Sequence, residues 1–209
     1  VEKASSGLAV IEDEKNEEIR GDEGRILISL SHPDMVSEMI DFGIAMSPAK
    51  SNAGLYALTV VSDDNNDESS ITRGRKMIND AIHHAAATEQ KIIPLVRYDM
   101  NMGSAINYTI KEHNITDALI GLHKSVNHEA FFAFIANNIL NKSREAIYVY
   151  KNVQPFNTLK RMLVAITPAA ELERGFQHWL LRISTIAKAG GMSLHFFANE
   201  DTLSEIRNR

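Results

Sequence analysis

Three short stretches carry residue types that could do chemistry. Ser31-His32 follows one apolar run, Ser62-Asp63 follows a second, and Gly121-Leu122-His123-Lys124 follows a fourth. In an open parallel sheet, ligands bind beyond the carboxyl ends of the strands, where the strand order reverses, so a site belongs in loops of this kind. Gly121 would let a backbone approach a phosphate, and Lys124 would add charge. A tight strand-to-helix turn explains the same glycine, and the sequence leaves both accounts open. The histidines suggest no metal site. His83 and His84 are adjacent on a helix, so their rings point in different directions. His123 and His128 are five apart, with no Asp or Glu at a credible ligand spacing. Asp63, Asp64 and Asp67 lack the glycine and terminal Glu of a calcium loop. No Ser-His-Asp arrangement and no glycine-rich nucleophile turn is evident, so no catalytic residue is assigned and no enzyme is expected.

The elements that must position these loops alternate along the chain. Ile26–Leu30 is an apolar run of strand length, followed by Pro33 and Asp34, which suit the first turn of a helix. Val36, Met39, Ile40, Gly43 and Ile44 mark one face of that helix. Leu55–Val61 predicts a second strand, Ile78, Ala81, Ile82 and Ala85 a second helix, and Ile92–Val96 a third strand. Pro94 cannot donate to a ladder, so the third strand belongs at a sheet edge. Ile106, Thr109, Ile110 and His113 mark a third helix, Ala118–Leu122 a fourth strand, Phe131, Phe134, Ile135 and Ile139 a fourth helix, and Ala146–Tyr150 a fifth strand. Strands alternating with helices of this length imply βαβ units. The expected fold class is α/β: an open, parallel, five-stranded sheet with helices on both faces, spanning residues 25–151.

The chain then begins to repeat itself. Arg25-Ile26-Leu27-Ile28-Ser29-Leu30 is echoed by Arg161-Met162-Leu163-Val164-Ala165-Ile166, and Gly54–Val61 more loosely by Gly191–Ala198, at offsets of 136 and 137 residues. A unit of that size is a duplicated domain, since solenoid repeats run roughly 20–50 residues. Residues 152–209 are therefore expected to form a partial second β-α-β repeat, with Thr167-Pro168 capping its helix and Phe176, Trp179, Leu180 and Ile183 as its apolar face. A lone β-α-β leaves an open edge and a bare sheet face, so it is expected to pack on the first unit or on another chain. Residues 1–24, crowded with Glu12, Asp13, Glu14, Glu17 and Glu18, read as an acidic linker. The start at Val1 and the half-finished repeat suggest a piece of a longer protein.

Composition narrows the function. The net charge of −5 argues against nucleic acid, which needs a basic face. There is no Cys, which removes disulfides and thiolate chemistry. No run approaches the ~18 apolar residues of a membrane span.

The strand-helix order, with Gly121 after the fourth strand, resembles the universal stress protein fold, of the adenine nucleotide alpha hydrolase-like type. Nucleotide-binding members of that family carry Asp after strand one, G-x-x-G after strand four and a Gly-Ser or Gly-Thr pair at the next helix. Here Ser31 and, in the second copy, Thr167 replace the Asp. Gly121 matches the first glycine, Lys124 stands at the second, and the pair is missing near Phe134. The resemblance thus implies a degenerate nucleotide pocket at Ser31, Gly121, His123 and Lys124, with an adenine nucleotide as the only cofactor it suggests and none expected. A second resemblance covers nearly the whole chain. Ile26–Pro33, Leu55–Val61, Pro155–Arg161 and Ile166–Phe176 look like the cytoplasmic C-terminal tail of bacterial Kef-type sodium/proton antiporters. It implies a regulatory or assembly domain on the cytoplasmic face of the inner membrane, part of a multi-pass protein. Its expected partners are the membrane domain of the same polypeptide, a second copy of itself and a small-molecule or nucleotide effector. A free-standing tandem universal stress protein is the alternative.

Overall fold

The computed structural model describes residues 24–47, 54–62 and 68–208. The acidic stretch 1–24, apart from Gly24, and the loop from Asp63 to Asp67 lie outside the described residues. The elements run β1 (Ile26–Leu30), α1 (Val36–Met46), β2 (Leu55–Val61), α2 (Glu68–Ala86), β3 (Ile92–Tyr98), α3 (Met102–Glu112), β4 (Asp117–Gly121), α4 (His128–Asn138) and β5 (Ala146–Tyr150). The second unit follows with β6 (Arg161–Ala165), α5 (Phe176–Ala189), β7 (Ser193–Phe197) and α6 (Glu200–Arg207). Strands β1 to β5 form one parallel sheet in the order β3-β2-β1-β4-β5, and β6 pairs with β7 in a separate parallel ribbon.

This is the α/β fold expected of the sequence. β1 is central and buried on both faces, which is why it reads as an unbroken apolar run rather than an alternation. Ile26, Ile28 and Leu30 enter one core with α1 and α2, while Leu27 enters the other with α3 and α4. Among the described residues β3 pairs with β2 alone, at the sheet edge, and Pro94 stands opposite Ala57. Side-chain caps set three of the helices: Asn101, Asn127 and Asn199 each accept a hydrogen bond from a backbone N–H three residues on. Gly43 has a packing role, because a Cβ there would overlap Ile28. Its absence lets α1 lie close on β1.

The half-repeat completes the first unit. α1 lies over β1 and the near part of β4, and α2 over β2 and β3, so the flank toward β5 would be bare on that face. Tyr148 and Tyr150 of β5 project there and pack with Phe156, Ile186, Ala187 and Met192 of the second unit. Phe42 stacks on Tyr150 at 4.5 Å and meets Phe156 edge-on at 5.6 Å. Burial, then the nearby Glu38, pushes the Tyr150 phenol up to about 12.

Two expectations about this unit are corrected. Thr167-Pro168 does not cap α5. Ala169 takes a left-handed conformation (φ 64°), a short 3-10 turn follows at Ala170–Leu172, and the helix starts only at Phe176. The buried face of α5 is also rotated: Phe176, Arg182, Ile186 and Ala187 are buried, while Trp179, Leu180 and Ile183 are only partly so. The unforeseen residue is Arg182, 4% exposed, because it answers Asp117, 0% exposed, at the start of β4.

The contact is dense. Arg182 donates from Nη2 to Asp117 Oδ2 at 2.5 Å, from Nε to Oδ1 at 3.1 Å and from Nη1 to the Met46 carbonyl at 2.7 Å. His178 Nε2 lies 2.7 Å from Asp117 Oδ1, and the Thr116 hydroxyl donates to Oδ2 at 2.7 Å. Burial raises the carboxyl's pKa, but the His178 bond, the Arg182 charge and its bond more than offset this, so the net shift is down. Tyr148 sits beside the pair, and burial first, then the Asp117 charge, holds its phenol well above its ordinary range.

Removing one partner of a buried, hydrogen-bonded pair strands the other charge. Asp117→Asn and Arg182→Met should each lower unfolding free energy by about 3–5 kcal/mol, and the double variant Asp117→Leu/Arg182→Met should recover much of that loss. Urea unfolding of the four proteins checks this. A pKa depressed in the folded state gives stability that is complete above the unfolded value of about 4 and is lost as pH falls through the folded value. Acidification below about pH 4 should therefore weaken the wild type more steeply than Asp117→Asn.

Candidate functional site

Strand order reverses between β1 and β4, the two adjacent central strands. The chain leaves β1 toward α1 on one face and leaves β4 toward α4 on the other, so a crevice opens between these exits. The residues singled out from the sequence flank it. Ser31 and His32 stand on the β1 side, half-buried, and Gly121, His123 and Lys124 on the β4 side, respectively buried, half-buried and exposed.

Gly121 is closely approached on the side facing α1. A Cβ there would stand 3.0 Å from Met35 Cε and 3.1 Å from Met39 Sδ. Met35, on the 3-10 turn before α1, and Met39 of α1 fill the space beside this glycine, so a side chain there would push their thioether ends aside.

The chemistry concentrates instead at His32, Asp34 and His123. His32 begins a 3-10 turn, Pro33–Met35, that runs straight into α1. Proline at the first position of that turn sets the direction in which Asp34 leaves the backbone. Across the crevice, the His32 and His123 rings stack with centroids 4.0 Å apart and planes 12° from parallel. His123 Nε2 lies 2.9 Å from Asp34 Oδ2, 89 residues away in sequence. His123 Nδ1 accepts from the Ser125 backbone N–H at 3.2 Å and lies 2.6 Å from its hydroxyl. An Nδ1 that accepts places the proton on Nε2, which then donates to Asp34.

The electrostatics follow from this arrangement. Burial, the adjoining His123 and Arg73 push the His32 pKa down against the pull of Asp34, favouring neutral imidazole. The hydrogen bond from His123 holds the Asp34 carboxyl below its usual value. One neutral imidazole, a second bonded imidazole and an ionised carboxylate thus share a corner open to solvent.

No histidine pairing is expected from the sequence, and the structure makes one, between His32 and His123. His128 turns away and its Nε2 lies 3.3 Å from Lys151 Nζ, so it does not join His123. His84 Nε2 lies 2.6 Å from Asp41, and His83 is exposed. No Asp or Glu stands at ligand spacing from His123 in the sequence; the carboxylate that reaches it is Asp34, a residue of the turn that opens α1. The faint signal was the His32-Pro33-Asp34 run directly after a central strand. Its partner on the loop after β4 becomes visible only once β1 and β4 are known to be neighbours.

If Gly121 serves packing, Gly121→Ala should cost about 1 kcal/mol, since the thioether ends can shift. Gly43→Ala should cost more, up to about 3 kcal/mol, because Ile28 beneath it is branched and held in the sheet. Thermal and urea unfolding of the two variants will rank them.

No protein-family model matches the chain, and no curated protein matches it. Among solved structures, it is similar to a universal stress protein from Archaeoglobus fulgidus in complex with dAMP, at 10% identity, covering 60% of this chain and 95% of that one, TM-score 0.49. It is also similar to a protein of the universal stress protein family from Burkholderia pseudomallei, at 14% identity, covering 61% and 96%, TM-score 0.45. A universal stress protein in complex with cAMP is similar at 13% identity, covering 62% and 98%, TM-score 0.47.

Proposed function

We propose that this chain is a regulatory and assembly module of a membrane cation/proton antiporter, acting from the cytoplasmic face of a bacterial inner membrane, with no transport or catalysis of its own. The observation that carries the assembly part is the open edge at β5. Among the described residues, β5 pairs with β4 alone, which leaves one side of its ladder for another strand. A two-fold axis beside β5 would pair that edge with its counterpart in a second copy and close a homodimer. The ribbon of the half-repeat adds a second surface. Leu163 and Phe197 are 72% and 73% exposed on its outer face, beside exposed Ala165 and His195. In this reading that face meets the membrane domain of the same polypeptide. The antiporter assignment itself rests on the sequence resemblance, and none of the helices among the described residues is long and apolar enough to cross a membrane.

The rival reading is a free-standing tandem protein that binds an adenine nucleotide. It has in its favour the crevice at the strand-order reversal and against it the methionines over Gly121.

Light scattering should show a dimer whose population rises with concentration; a monodisperse monomer at high concentration removes the assembly reading. Calorimetric titration with ATP, ADP and AMP should give no saturable heat. Micromolar binding abolished by substitution at Gly121 would instead install the nucleotide reading.

A further inference from the structure

We propose that His32, Asp34 and His123 form a binding site for a divalent transition-metal cation at the crevice between the β1 and β4 exits. The inference is independent of the antiporter reading. One ligand atom from each residue lies within 4.8 Å of the others. Ligands about 2.1 Å from a tetrahedral cation lie about 3.4 Å apart, so the cluster is slightly more open than a loaded site. His123 Nε2 and Asp34 Oδ2, at 2.9 Å, are already closer than that. The remaining closure would come from rotation of His32 out of the ring stack and of Asp34, whose side chain is 57% exposed.

The donor set selects the class of cation. Two imidazole nitrogens and one carboxylate oxygen suit zinc, cobalt, nickel and their neighbours, whereas magnesium and calcium prefer oxygen shells. Three protein ligands leave at least one position for water or an effector. The Asp34 charge offsets the positive charge that Arg73 brings to this corner.

The partner of the second ring nitrogen is in place as well. A histidine that ligates through one nitrogen usually donates from the other to an oxygen, which fixes its ring. Ser125 Oγ, 2.6 Å from His123 Nδ1, is that oxygen. Binding through Nε2 needs the other tautomer: the proton leaves Nε2, a proton is taken up at Nδ1 by exchange with solvent, the Nε2 lone pair faces the cation, and Nδ1–H donates to Ser125 Oγ, whose hydroxyl turns away, in place of the bond from the Ser125 N–H. The cation would add to the Asp34–His123 bond and the His32–His123 stack, which already join loops 89 residues apart in sequence.

The test uses the full chain and Co²⁺, whose visible absorption reports coordination. Titration should give one site per chain with a d–d band of four- or five-coordinate character, competed by Zn²⁺ and unaffected by excess Mg²⁺ or Ca²⁺. His123→Ala and His32→Ala should each weaken binding at least about 100-fold, and Ser125→Ala about 10-fold. His83→Ala/His84→Ala and His128→Ala should leave it unchanged. Circular dichroism checks the fold of each variant. Should His123→Ala unfold, Asp34→Asn, at an exposed position, decides instead by weakening binding about 10–100-fold. The proposal is overturned if the wild type shows only the spectrum of hexaaqua cobalt, or if binding survives the ligand substitutions and disappears with His83→Ala/His84→Ala.

Discussion

The tertiary arrangement hangs on a buried carboxylate. Asp117 lies at the start of a central strand with no exposed surface, and such a group is tolerated only when its charge is answered and its lone pairs are filled. Arg182 answers it from the other repeat. The same guanidinium takes the carbonyl of Met46 at the end of α1, so one side chain ties β4, the first helix and the half-repeat together. A hydrophobic surface alone would let α5 slide across α1. The directional bonds to Asp117 define where along the sheet it stops.

That placement has consequences at both ends of the sheet. At the amino end of β4 the Asp117–Arg182 pair is sealed, and along the β4–β5 flank α5 and the connector pack against the half-buried Tyr148 and Tyr150. At the carboxyl ends, the exits of β1 and β4 stay uncovered, and His32, Asp34 and His123 meet there. The fold thus separates a face committed to internal packing from a crevice with the groups to hold a ligand. The methionines above Gly121 show the crevice shaped by the protein's own side chains on its α1 side.

The second repeat contributes Phe156, Ile186, Ala187 and Met192 to the first unit's core. Its inner face is consumed by packing, while the outer face of its ribbon presents Leu163 and Phe197 to solvent. The terminal helix α6 is held by the same economy of polar contacts. Asn199 caps it, and the Thr202 hydroxyl donates to Glu171 on the turn before α5 at 2.5 Å.

Much of the fold was legible because it is written in local periodicity. The apolar runs of β1, β2 and β5 have the bounds expected, Pro94 placed β3 at an edge, and β4 is displaced by one residue only. These features depend on short-range sterics and on which residues can be buried at strand or helix spacing. The rotation of α5, the role of Gly121 and the meeting of His32 and Asp34 with His123 were not legible in the same way. Each depends on a contact between residues far apart in sequence: 65 positions for Arg182 and Asp117, 89 for His123 and Asp34. An arginine on a helix reads as a solvated charge until a buried carboxylate is known to face it. An Asp after a proline reads as a helix start until strand order brings an imidazole to it. The sequence alone determined the elements and the two-faced sheet, because backbone and burial preferences act locally. Only the tertiary structure decided which charges are buried and which side chains share a crevice, because those follow from the order of the strands.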